Sequence, residues 1–135
     1  FYIPKNVVVI GTMNDIDRGV EAMDFAIRRR FAWKEVTAED SAKNMELSEK
    51  VKYVMTKLNE ALKEKNLTEA HYIGGAYFLK LDTKTDYQKL WDNHLKGIIA
   101  EYFRGEPDGP NKLDEIESAY KSAHSNPAPQ PSSKE

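Results

Sequence analysis

The stretch Ser48-Glu-Lys-Val-Lys-Tyr-Val-Met-Thr-Lys-Leu-Asn-Glu-Ala-Leu62 repeats apolar side chains at the period of an α-helix. The members of this apolar stripe stand three or four residues apart, and such residues share one helix face: Val51, Val54, Met55, Leu58 and Leu62. Ser48 precedes the stripe and is expected to cap the helix, because a serine hydroxyl accepts a hydrogen bond from an unpaired N–H of the first turn. The segment predicts a helix with one buried face.

Three further features around this helix predict a small helical bundle over residues 37–105. Thr37 and Asp40 have the spacing of a capping box, with Asp in place of the usual Glu or Gln. An apolar segment with two glycines follows at residues 72–79, and we expect the glycines to form a turn. A second helical stripe is ended by a glycine: Tyr87, Leu90, Trp91, Leu95, Ile98, Tyr102 and then Gly105 as the C′ residue.

The C-terminal part predicts one more helix and a tail. Leu113, Ile116 and Tyr120 mark an additional helix within residues 106–124. Residues 125–135 are rich in proline and serine and have no apolar side chain larger than alanine, so we expect them to be disordered.

The N-terminal part, residues 1–36, predicts an α/β arrangement. Asn6-Val-Val-Val-Ile-Gly11 has the composition of a buried strand, and Phe31-Ala-Trp-Lys-Glu-Val36 that of a second strand. Val20, Met23 and Ile27 predict a short helix between them. Two strands do not make a stable sheet. The predicted fold class is therefore an α/β remnant, the last strands of a parallel sheet, followed by an all-α helical subdomain, and we expect the chain to be part of a larger protein.

Composition excludes several classes of protein. The formal net charge of −2 argues against a large non-specific nucleic-acid footprint for this chain. The chain has no cysteine, which excludes disulfides and thiolate metal sites, and its three histidines lack metal-ligand spacing, so no metal site is predicted. No apolar run approaches the ~20 residues that cross a bilayer, and a cytoplasmic location is expected.

Two motifs at the N-terminal end carry a family resemblance. Met13-Asn-Asp-Ile-Asp-Arg18 is followed, ten residues on, by Arg28-Arg-Arg-Phe31. Together they resemble AAA+ proteins of the McrB type, the motor subunits of 5-methylcytosine-specific restriction systems. The resemblance is close over residues 3–36, and residues 67–105 resemble the lid of that family.

The resemblance implies roles for six residues. Asn14 follows a predicted strand and would be the sensor-1 residue that orients the attacking water near the γ-phosphate. Arg29 and Arg30, with Arg28 beside them, would be arginine fingers that act on a neighbouring subunit's nucleotide. Asp17 and Arg18 would belong to the same nucleotide-binding motif. The structural alternatives are an Asn that turns the chain, cations that suit a helix C-terminus, and a local ion pair.

The resemblance also implies cofactors and partners. The parent protein would use GTP or ATP with Mg²⁺, form a homo-oligomeric ring with neighbouring AAA+ subunits, and work with a McrC-like nuclease. DNA would bind through a domain that is not in this chain. The chain has neither the phosphate-binding loop G-x-x-x-x-G-K-[ST] (Walker A) nor a strand that ends in paired acidic residues (Walker B). We therefore expect it to be inactive alone and to hold no nucleotide tightly.

Two other functions fit the same residues. The first is a different AAA+ branch, such as a MoxR-like or dynein-like chaperone ATPase, and the upstream sequence would separate it from a restriction motor. The second is a non-catalytic helical adaptor, for which we expect a monomer with no open sheet edge.

Overall fold

The computed structural model describes residue 2 and residues 4–13, 25–79, 81 and 86–125. The chain divides into two compact units, Phe1–Lys34 and Glu35–Glu135. The described part of the first unit contains helix α1, Phe25–Arg28. The helices of the second unit are α2 (Ala38–Lys43), α3 (Glu49–Glu64), α4 (Tyr87–Leu90), α5 (Lys96–Tyr102) and α6 (Gly109–Ser125). The second unit also contains shorter helical turns: 3-10 helices at Glu69–His71 and Gly75–Tyr77, and a π-helix at Trp91–Leu95.

The predicted α/β sheet remnant is wrong, because the described residues contain no β-strand. Residues 7–13 and 32–37 lie in neither helix nor strand, and Val8 and Ile10 are 81% and 86% exposed. A strand is defined by hydrogen bonds to a neighbouring strand. The β-branched composition that led to the prediction fits a pleated surface but does not supply that neighbour. The part of the intervening helix predicted at Val20 and Met23 lies outside the described residues.

Helix α3 forms as its sequence predicts. The Ser48 hydroxyl accepts a hydrogen bond from the Val51 N–H at 3.4 Å, which confirms the predicted cap. All members of the predicted stripe are buried, and they form the centre of the core: Val51, Val54, Met55, Leu58 and Leu62. The helix ends at Glu64 with Lys65 as its C-cap. The next residue, Asn66, has a φ of 64°, a left-handed conformation that asparagine tolerates better than most residues.

The helices α4 and α5 are joined without a break by the π-helix Trp91–Leu95. A π turn holds more residues than an α turn, so the four-residue steps from Trp91 to Leu95 and Ile99 stay on one face. All three side chains are fully buried. The predicted stripe placed Ile98 and Tyr102 on this face, but both are only half-buried, because the π turn shifts the register by one residue.

Helix α6 packs along α3. Ile116 and Tyr120 of α6 are fully buried. The Tyr120 ring stacks on Trp91 with 5.4 Å between the ring centroids, and its hydroxyl donates a hydrogen bond to the Tyr87 carbonyl at 3.0 Å. Burial raises the pKa of Tyr120 far above its usual value, so this hydroxyl remains a donor over the physiological range. These contacts fix the last turns of α6 against α4 and the π-helix.

His124, in the last turn of α6, completes this aromatic cluster. Its ring stacks on Tyr87 with 4.9 Å between centroids and an interplanar angle of 15°. Its Nε2 atom is buried and has no hydrogen-bond partner among the described residues. Burial lowers the pKa of His124, the charges of Lys50 and Lys121 lower it further, and Asp86 opposes them. The folded chain therefore favours the neutral imidazole.

None of the helices in the described ranges is long and apolar enough to cross a membrane.

The His124 environment predicts a loss of stability on mild acidification. The unfolded chain takes up the His124 proton at the ordinary pKa of 6.5, before the folded chain does, so the free energy of unfolding falls as pH drops below that value. His124→Phe keeps a ring against Tyr87 and removes the titration. The free energy of unfolding is measured in urea at about pH 7.5 and at about pH 5. Between these two pH values it should fall less for this variant than for the original chain.

The exposed His94 provides the matched control for this experiment. His94→Gln should retain the pH dependence of the original chain. An unchanged pH dependence in His124→Phe would contradict the assignment.

Candidate functional site

The three consecutive arginines lie on an exposed turn at the end of α1. Arg28 is the last residue of the helix, and Arg29 and Arg30 form the turn that follows it. The Arg30 N–H donates to the Ile27 carbonyl at 3.0 Å, so the backbone of this arginine turn, residues 28–31, is hydrogen-bonded back to the helix. All three arginine side chains are exposed. The turn therefore presents a cluster of guanidinium groups to solvent.

Trp33 is attached to the arginine turn by two contacts with Arg28. Its indole Nε1–H donates to the Arg28 carbonyl at 2.6 Å. The Arg28 guanidinium carbon lies 5.9 Å from the centre of the Trp33 ring, within the range of a cation–π interaction. Trp33 itself is 52% exposed. The sequence pattern predicted Trp33 only as a strand residue, and nothing in it indicated either contact.

Three of the predicted site residues are not among those described. Asn14, Asp17 and Arg18 lie outside the described residues. Their assignment, like that of the arginines, stays a prediction.

In the second unit, the glycine segment Tyr72-Ile-Gly-Gly-Ala-Tyr-Phe-Leu79 is held by a buried asparagine. The Asn59 side chain of α3 accepts from the Ile73 N–H at 2.8 Å and donates to the Ile73 carbonyl at 3.1 Å. Asn59 is 7% exposed and is the buried polar side chain of the described core. Both backbone groups of Ile73 are thus satisfied by one side chain. The sequence offered one signal for this role: Asn59 is a polar residue next to Leu58, a member of the apolar stripe of α3.

A second side chain holds the segment from α2. The Ser41 hydroxyl accepts from the Gly75 N–H at 3.2 Å and donates to the Ala38 carbonyl at 2.7 Å. The Thr37 hydroxyl accepts from the Asp40 N–H at 3.1 Å and so caps the start of this short helix, as the sequence predicts. The glycine segment is therefore fixed to α3 at Ile73 and to α2 at Gly75.

Close packing explains the second glycine of the segment better than turn geometry does. Gly74 has an ordinary φ of −80°, and neither glycine of the pair has a positive φ. A Cβ on Gly75 would lie 2.9 Å from Met45 Sδ and 3.1 Å from Ala42 Cα. The absence of a side chain at Gly75 lets α2 approach the segment.

The described residues offer neither a metal site nor an arginine on the glycine segment. No group of three His, Asp or Glu side chains comes together there as a bound metal would require. Arg104, the one arginine after Arg30 in the sequence, forms an ion pair with Glu101 at the end of α5. The arginine turn presents three adjacent, exposed guanidinium groups, a group whose planar fork matches phosphate oxygens.

Comparison with known proteins gives two matches. Residues 50–111 match the family described as McrB, alpha-helical lid domain. The chain is also 30% identical over 126 residues to the Type IV methyl-directed restriction enzyme EcoKMcrB subunit of Escherichia coli (strain K12). That match covers 79% of this chain and 28% of the length of the relative. No solved structure matches significantly. The predicted resemblance to a McrB-like subunit is confirmed.

The packing around Gly75 predicts opposite effects for two glycine substitutions. Gly75→Ala should destabilise the chain by roughly 1–3 kcal/mol, because Met45 can move but the α2 backbone must also shift. A Cβ added at Gly97, on α5, has no neighbouring atom within 4 Å. Gly97→Ala should therefore stabilise the chain by about 0.5–1 kcal/mol, the usual gain for Ala over Gly in a helix. Urea unfolding measures both. If Gly75→Ala is as stable as the original chain, the packing argument is wrong.

Proposed function

We propose that this chain, which carries a McrB-type helical lid and is similar to the C-terminal region of a McrB-like subunit, is part of a nucleotide-hydrolysing motor subunit. The subunit would belong to a modification-dependent DNA restriction system. The single observation that carries the proposal is the lid match over residues 50–111, which includes most of α3, the whole glycine segment and the π-helix.

The proposed chemical contribution of the chain is a pair of arginine fingers, Arg29 and Arg30. A guanidinium group spreads its charge over a planar fork that matches phosphate oxygens, and it stabilises the charge that develops during phosphoryl transfer. The exposure of the arginine turn supports this role, because a finger must leave its own subunit to reach the nucleotide of a neighbour. Asn14, with Asp17 and Arg18, would complete the motif as sensor 1 and its nucleotide-contacting neighbours.

The remaining components of the proposed machine lie outside this chain. The substrate would be GTP or ATP with Mg²⁺, neighbouring copies of the subunit would form a ring, and a McrC-like nuclease would be the partner. DNA would bind through another domain. Among the described residues, no three His, Asp or Glu side chains come together as a bound metal ion would require, so we assign no catalytic step to a metal that they hold.

The helical adaptor is the competing proposal. An adaptor would have no open sheet edge. The described residues contain no strand, so their fold does not argue against an adaptor. The similarity to a restriction subunit over 79% of the chain favours the motor instead. The same similarity favours a restriction motor over the MoxR-like and dynein-like branches.

The proposal is tested in the complete subunit that would contain this chain. Arg29→Ala and Arg30→Ala, singly and together, should leave nucleotide binding and assembly intact. They should lower the assembly-dependent hydrolysis rate, on the order of 10³-fold for the double variant. The rate is measured with both GTP and ATP over a range of subunit concentrations.

Arg104→Ala is the control, since it removes an exposed arginine that is already paired with Glu101. It should hydrolyse nucleotide at the original rate. Full assembly-dependent hydrolysis by the double variant would refute the finger role, and a complete subunit with no nucleotide hydrolysis at all would refute the motor.

A further inference from the structure

We infer that Trp33 is the positioning residue of the arginine turn, that Arg28 is its structural partner, and that Arg29 and Arg30 alone act on the neighbouring nucleotide. This inference rests on the proposed function. It gives Arg28 a different role from Arg29 and Arg30, the two arginines to which the family resemblance points first.

The first observation is the hydrogen bond from Trp33 to the backbone of the turn. The last carbonyls of a helix lack partners within the helix. The Arg28 carbonyl accepts the Trp33 indole N–H at 2.6 Å, while the N–H of Phe31 lies at 3.5 Å from the same oxygen. The indole bond is the shorter of the two. It joins residue 33 to the last residue of α1 across the whole arginine turn.

The second observation is the position of the Arg28 side chain. Its guanidinium lies over the Trp33 ring at 5.9 Å, so both the backbone and the side chain of Arg28 are engaged by the same indole. This contact favours a position of the Arg28 side chain over the ring of its own subunit, by about 0.5–1 kcal/mol for an exposed cation–π pair. Among the described residues, no hydrogen bond or ion pair engages the side chains of Arg29 and Arg30, and both are exposed.

The consequence for catalysis is geometric. A finger raises the hydrolysis rate only when its guanidinium meets the phosphate in the transition state, and a misplacement of about 1 Å costs up to about 10²-fold. Fixing the backbone on both sides of Arg29 lowers the conformational entropy that each encounter must remove. A loss of this restraint should lower kcat and leave the KM for nucleotide nearly unchanged, because the finger acts in the transition state.

The test compares four variants of the complete subunit with GTP or ATP and Mg²⁺: Trp33→Phe, Arg28→Ala, Arg29→Ala and Arg30→Ala. Trp33→Phe keeps an aromatic ring and removes the indole N–H. It should lower kcat roughly 10–100-fold with KM within about twofold and assembly unchanged. Arg28→Ala retains the backbone carbonyl that Trp33 needs but removes the cation–π contact, so it should lower kcat less than Arg29→Ala or Arg30→Ala does.

The outcomes separate this inference from the proposed function. If Arg29→Ala and Arg30→Ala both retain full hydrolysis, the proposed function fails. If they lose hydrolysis while Trp33→Phe retains it, the positioning role is wrong. If Arg28→Ala loses as much as Arg29→Ala, or if Trp33→Phe loses activity only because assembly is lost, the division of roles is wrong. A kcat loss in Trp33→Phe with normal assembly and KM supports the inference.

Discussion

The paired hydrogen bonds between Asn59 and the backbone of Ile73 are the constraint on which the lid depends. They tie the glycine segment to the middle of α3, fourteen residues away in sequence, with Ile73 only 2% exposed. A buried backbone group without a partner costs roughly 1–3 kcal/mol, so one asparagine satisfies two groups that would otherwise destabilise the fold. With Ile73 fixed, the Gly75 N–H lies within hydrogen-bond distance of the Ser41 hydroxyl of α2. Phe78, three residues further on, is buried in the core.

This arrangement links the fold to the proposed motor. Asn59, Ile73 and Gly75 all lie within residues 50–111, the part of the chain that matches the McrB lid family. In the proposed motor, the hydrogen bonds from Asn59 and Ser41 would keep the glycine segment attached to α3 and α2 when the lid moves. The arginine turn of the first unit gains its order in a similar way, from a side chain that hydrogen-bonds to backbone: Trp33 to Arg28.

Helical periodicity predicted much of the second unit, and it failed where geometry departs from the regular α-helix. The stripe on α3 and the caps at Ser48 and Thr37 follow from local sequence, and the structure has them. Ile99 is buried in place of Ile98 because of a π turn, and no local sequence pattern predicted that turn. The two predicted strands failed because a strand needs a partner, and composition does not provide one. The roles of Arg28 and Trp33 depend on a contact across the turn, so periodicity could not separate the three arginines.

Amide hydrogen exchange at Ile73 tests the central claim most directly. Measured on this chain by NMR, the Ile73 N–H should exchange as slowly as the core amides of α3, because it opens only when the lid unfolds. In Asn59→Leu, which fills the space but offers no acceptor, that protection should disappear and the chain should lose stability. Rapid exchange of the Ile73 amide in the original chain, or unchanged protection in Asn59→Leu, would contradict the account.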